Sequence, residues 1–161
     1  MGKQWIVVDT NVFCRAGYQE AGGEGVRERD YLHEGGEACE FLDRMVKYCD
    51  EYGLAVDTDG LLVEEYDQQI IRGSFGYYAF RRLAVEIPGK TRSFSPKNPD
   101  WVDQLEGGSK LDKHDRRFLA TALATPDKVL VSQDMAFLEN ASFLRGKGIQ
   151  VHDVGEANAT L

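Results

Sequence analysis

Residues 5–8 read Trp-Ile-Val-Val and run directly into Asp9, Thr10 and Asn11. A continuous apolar run this short, broken by turn-forming polar residues, has the pattern of a strand buried on both faces. Strands of that kind belong to parallel sheets covered by helices on either side. The Asp9 carboxylate then falls where the strand ends and a connection begins. In open α/β sheets, ligands bind outside that carboxyl edge. Taken alone, Asp9, Thr10 and Asn11 serve equally well as a turn, because Asp and Asn bond their own backbone there. Acids farther along the chain decide between turn and site.

A second fully apolar strand is predicted at 129–131, running into Ser132, Gln133 and Asp134, with shorter strands at 54–56 and 149–151. Phe41, Leu42, Met45, Val46 and Cys49 repeat at helical spacing, which predicts a helix over 37–52 with Gly53 as its stop. Residues 17–36 are rich in Gly and Glu and predict a mobile loop or frayed helix, since Gly22, Gly23 and Gly25 lower helix propensity. Another helix begins near Leu61 and ends near Gly73. Residues 111–125 form the next strong one, with Asp112 as N-cap, a buried stripe of Phe118, Leu119, Ala122 and Leu123, and Pro126 just beyond. A short helix follows over 135–140.

Two stretches are less regular. In 74–85, aromatics mix with Arg81 and Arg82; such residues can stack bases and hold phosphates, but core or lid packing is the favoured reading. Residues 87–108 carry three of the four prolines and predict a long irregular insert. Lys90, Arg92 and Lys97 make it mildly basic, as a flap over a polyanion would be, although a solvated loop is the commoner case. The alternation of strands and helices implies one α/β domain over 1–161, a central parallel sheet flanked by helices.

Composition excludes several classes. No apolar run approaches the roughly 20 residues of a membrane span, and residues 5–8 are too short for a signal-peptide core. Cys14, Cys39 and Cys49 lack C-x-x-C spacing and read as reduced thiols of a cytoplasmic protein. His33, His114 and His152 are too scattered for a zinc site. The formal net charge of −8 argues against a general nucleic-acid coat protein. It does not exclude a nuclease, whose carboxylates are offset by divalent cations.

Asp9 and Asp134 both terminate apolar runs, so in a parallel sheet they share one edge. Asp115, in the first turn of its helix, faces the same rim, and Glu65 lies within the second turn of the helix after the second strand. Each has an ordinary explanation by itself: turn, helix-dipole partner or solvated acid. Four converging carboxylates repel one another and cost stability unless a cation joins them. Oxygen-only ligands suit Mg²⁺ or Mn²⁺.

The ordered set WIVVDTNVF, LLVEEY, DRRFLATAL and VLVSQD resembles the PIN-domain nucleases, over nearly the whole chain. The resemblance implies a three-layer fold and metal-dependent cleavage of RNA, with Asp9, Glu65, Asp115 and Asp134 as the acidic ligands. Asn11 fills the polar place of the family's DTN motif, and Ser132 stands two residues before the last acid. Gln133 departs from the family's usual Asn, and the insert at 87–108 is longer than in compact bacterial members. Many small members are toxins held by an antitoxin, which makes an inhibitory protein partner or a homo-oligomer an expectation of the resemblance alone.

In this reading one or two ions activate a water for in-line attack on phosphate. Asp9 is the central ligand, Asp115 and Asp134 complete the cage, and Glu65 binds or orients the second ion or the water. Thr10, Asn11 and Ser132 orient those acids. Lys113, His114, Arg116 and Arg117 could meet flanking phosphates, or form a solvated helix face. Two rivals stand beside it. One is a catalytically inactive RNA- or protein-binding module of the same fold. The other is a dehalogenase-like phosphatase, which needs a second Asp where this chain has Asn11.

Overall fold

The computed structural model describes residues 2–17, 28–48, 50–102 and 111–161. Five strands, β1 (Gln4–Val8), β2 (Tyr52–Asp57), β3 (Thr91–Phe94), β4 (Val129–Val131) and β5 (Gln150–His152), form one sheet in the order β3-β2-β1-β4-β5. Every pairing is parallel. The most apolar segments take the middle, where both faces are covered: Ile6, Val7, Val8, Val129, Leu130 and Val131 are all fully buried. Helices flank this sheet, giving the three-layer α/β arrangement expected. They are α1 (Thr10–Gly17), α2 (Glu28–Lys47), α3 (Leu61–Gln69), α4 (Phe75–Arg81), α5 (Lys113–Ala124), α6 (Met135–Leu138), α7 (Ala141–Gly146) and α8 (Val154–Thr160). Among the described residues, no helix is long and apolar enough to cross a membrane.

The strand order positions the site. The chain builds outward from β1 through β2 to β3, then returns to the other side of β1 for β4 and β5. Right-handed crossovers in opposite directions put their helices on opposite faces, so a crevice opens between the carboxyl ends of β1 and β4. Asp9 follows β1 and Ser132 follows β4. The ladder continues to that point, because the Asp9 N–H donates to the Val131 carbonyl at 2.9 Å.

Several boundaries differ from expectation, each for a physical reason. Residues 91–94, within the insert predicted to be irregular, are the edge strand β3; its ladder with β2 runs from Leu54↔Thr91 to Asp57↔Phe94. An edge strand exposed along much of its length is held by backbone pairing and carries little apolar alternation. Helix α2 begins at Glu28, inside the stretch predicted to be loop or frayed helix, and ends at Lys47 rather than 52. Burial of Ala38, Phe41, Leu42 and Met45 outweighs the roughly 1 kcal/mol cost of each interior glycine. The glycines at 22, 23 and 25, and Cys49, lie outside the described residues. Gly53 is not a helix stop but a β2 residue paired with Trp5; a Cβ there would come within 2.5 Å of the Trp5 ring. Helix α3 ends at Gln69, before Gly73, as Ile70 turns extended. The segment after Asp9 is helical at once, and α7 and α8 add turns that the periodicity did not reveal.

The aromatic stretch is chiefly core, as favoured. Phe80 packs against Phe13 and Tyr66, at centroid distances of 6.4 and 5.6 Å. Gly76 allows this approach: a Cβ there would sit 1.9 Å from the Phe13 carbonyl oxygen, a backbone atom that cannot swing away. Gly76→Ala is therefore expected to lower stability by about 1–3 kcal/mol through overpacking. A denaturant midpoint equal to that of the wild type would contradict the contact.

Candidate functional site

A cleft of about 650 Å³ opens at the carboxyl edge and is lined by Asp9, Glu65, Asp115 and Asp134. The four acids thus come together from the end of β1, the second turn of α3, the start of α5 and the cap of α6. Leu62 and Tyr66 are the buried stripe of α3, with Ile70 buried just past its end, which leaves Glu65 at the half-buried margin. Tyr66 fixes the floor, its hydroxyl donating to the Val8 carbonyl beside Asp9. Burial first, and then the Asp9 charge, raise its pKa well above the usual phenol range.

Each acid is held by a neighbour. The Ser132 hydroxyl donates to Asp9 Oδ2 at 2.6 Å and accepts from the Asp134 N–H at 2.9 Å, tying β1 to β4. The Thr10 hydroxyl donates to Glu65 Oε1 at 2.6 Å. Asn11 Oδ1 accepts from the Gln133 N–H at 3.2 Å. The three orienting residues expected from the sequence therefore touch the acids or the loop that carries them. Asp134 caps α6 by accepting from the Ala136 N–H. Asp112 and Asp115 form a capping box at the start of α5.

The acids sense one another. Asp9 is only 5% exposed. Burial raises its pKa to about 7; the Ser132 bond opposes this, and the charges of Asp115 and Asp134 add to it. Asp115 rises to about 6, through burial first, then the Asp112 charge, with Asp134 and Glu65 adding to it. A buried carboxylate among other carboxylates is disfavoured as an anion, which is the condition that a divalent cation relieves. The donor chemistry fits a hard cation. Among the described residues, however, no three His, Cys, Asp or Glu side chains are already gathered at a spacing that would hold one.

The basic residues divide. Arg117 Nη1 lies 3.0 Å from both Asp57 Oδ2 and Asp59 Oδ2, so it is an internal brace rather than a cation aimed at a flanking phosphate. His114 Nδ1 lies 3.6 Å from Glu65 Oε2. Arg116 Nε donates to the Leu111 carbonyl at 3.2 Å. Lys113 is exposed at the cleft margin.

Sequence reasoning missed Asp57, whose side chain is fully buried at the end of β2 and accepts from the Leu61 and Leu62 N–H groups. Its place after Leu54, Ala55 and Val56 was the available signal, since it too ends an apolar run. Cys14 and Asp112 also line the cleft. Burial, then the charges of Asp9 and Glu65, raise the Cys14 thiol pKa.

No family model, curated protein or solved structure matches the chain.

Glu64 lies at the outer rim of the cleft rather than pointing away from it, but it is exposed and accepts from Gln68 Nε2 at 3.0 Å. On the phosphodiester cleavage expected from the sequence, Glu65→Gln should lower the rate at least a hundredfold, and Glu64→Gln less than threefold, both roughly scaled to the loss of one positioned catalytic group. Steady-state rates on one RNA compare them. Equal losses would mean that both acids serve the site.

Proposed function

We propose that this chain is a Mg²⁺- or Mn²⁺-dependent endoribonuclease that hydrolyses phosphodiester bonds in single-stranded RNA. The observation that carries the reading is the buried, destabilised Asp9 carboxylate at the β1–β4 crevice, sharing one cleft with Glu65, Asp115 and Asp134. The choice of RNA rests on the resemblance to PIN-domain nucleases. Asp9, Asp115 and Asp134 are assigned to hold the cation, which when bound polarises the phosphate and supplies a nucleophilic water near neutral pH. Ser132 keeps Asp9 and the Asp134 backbone in register. Glu65, held by Thr10, is assigned to orient the attacking water. The dehalogenase-like alternative finds no second acid at Asn11, which instead accepts a backbone N–H from Gln133.

Single-stranded RNA incubated with Mn²⁺, with and without chelator, tests the proposal beside single-stranded DNA of the same sequence. Cleavage of the RNA that chelator abolishes is expected. An ion that binds only the folded chain also raises its melting temperature, by the equivalent of about 2.7 kcal/mol at 100 times its dissociation constant. No cleavage, together with a melting temperature indifferent to millimolar Mn²⁺, would leave the non-catalytic module as the better reading.

A further inference from the structure

Two exposed apolar side chains stand at the carboxyl edge, one after β2 and one after β4. Leu61, 42% exposed, opens α3 and lines the acidic cleft. Met135, 58% exposed, opens α6 directly after Asp134, itself part of the cleft wall. We propose that Leu61 and Met135 are platforms for nucleobases, so that a single-stranded RNA crosses the acids with one base resting on each. The inference rests on the nuclease reading of the cleft and extends it to how substrate is held and selected.

Three observations carry it. Neither residue serves the core, because Leu62 and Tyr66 bury α3, and Ala136 and Phe137 bury α6. A single exposed apolar side chain is ordinary on a protein surface. These two are not scattered: each opens a helix at the edge that carries the acids, and among the described residues lining the cleft Leu61 is the one aliphatic side chain. The strand order supplies the second observation. Asp9 follows β1, which lies between β2 and β4. The strands leading to Leu61 and Met135 are therefore two inter-strand spacings apart, roughly 10 Å. The third is a mismatch of lengths. Bases stacked along one strand are only about 3.4 Å apart. Bases resting on both platforms have therefore left each other's stack, with the intervening phosphate over the acids. A duplex would have to unstack and unpair to follow that path, which favours single strands. Every base offers an apolar face, so such platforms tolerate any sequence.

The test reads binding, so it does not depend on cleavage. A labelled single-stranded RNA is titrated by fluorescence anisotropy in chelator against the wild type, Leu61→Ala, Met135→Ala, Leu61→Trp and Met135→Trp. Each alanine is expected to weaken binding about five- to tenfold, the low end for one contact between a base and a side chain. Each tryptophan should tighten binding, because an indole offers a larger stacking face, and its added fluorescence should be quenched as RNA binds. Ile71→Ala, exposed beyond the end of α3, is the control and should bind like the wild type. On an RNA duplex of the same sequence, neither alanine should change the affinity. If an alanine variant loses its cooperative melt, the tryptophan variant at that position decides alone. Alanine variants that bind like the wild type, equal losses on the duplex or at Ile71, tryptophans that neither tighten nor quench, or no binding by the wild type overturn the proposal. Metal-dependent cleavage alongside any of those results leaves the nuclease reading standing. The expected binding pattern without cleavage removes that reading alone.

Discussion

In chelator at pH 7.5, Asp9→Asn is expected to melt at a higher temperature than the wild type, and the gap should close as the pH falls toward 4. Burial raises the Asp9 pKa from an ordinary 3.8 to about 7. Between those values the folded chain binds more protons than the unfolded one. Its stability therefore falls as pH rises through that window and levels off above it. Asparagine carries no charge, so the variant escapes the loss, and its amide oxygen can still accept from Ser132. A shift of about three pKa units sets a ceiling of roughly 4 kcal/mol on the gain. Asp115, raised to about 6, imposes the same trend on both proteins and cancels in part, because its charge also contributes to the rise at Asp9. The same substitution should lower Mn²⁺-dependent RNA cleavage at least a hundredfold, the usual order for loss of a positioned catalytic group. A variant that gained stability without losing activity would separate Asp9 from the chemistry. A variant less stable at every pH would show that the Asp9 carboxylate is well solvated or well paired.

The second large effect concerns the brace beneath the site. Arg117→Met should cost about 3 kcal/mol, because it leaves the fully buried Asp57 carboxylate without its cation. The two N–H bonds from α3 remain and keep the loss near the lower end of the range for broken buried pairs. Adding Asp57→Asn should recover part of the loss, since the stranded charge is then gone. Urea midpoints of the two singles and the double give the coupling directly. Strict additivity would mean that the contact carries no energy of its own.

How far the chain could be read without its structure follows from where each signal lies. Helix α5 announced itself locally, through its Asp112 cap, its periodic apolar stripe and Pro126 beyond its end. The α3 stripe likewise distinguished Glu65 from Glu64, although it pointed Glu64 too far from the rim. Strand β3 offered no such signal: Thr91, Arg92, Ser93 and Phe94 are strand because β2 pairs with them. Gly53 gave a misleading one, since a glycine after a helical pattern looks like a stop whether or not a tryptophan ring occupies the space of its Cβ.

By itself the sequence determined that Asp9 and Asp134 lie on one edge, because apolar runs buried on both faces enforce a parallel sheet whose strands all end on the same side. The tertiary structure alone decided which side chains around that edge are available. Arg117 and Asp57 are 60 residues apart, and nothing in either local pattern foretells their pairing. Four neighbouring basic and imidazole residues look equivalent as text. Helix rotation and long-range contacts give them different work: Arg117 braces β2, His114 lies beside Glu65, Arg116 holds the Leu111 carbonyl, and Lys113 is exposed at the cleft margin.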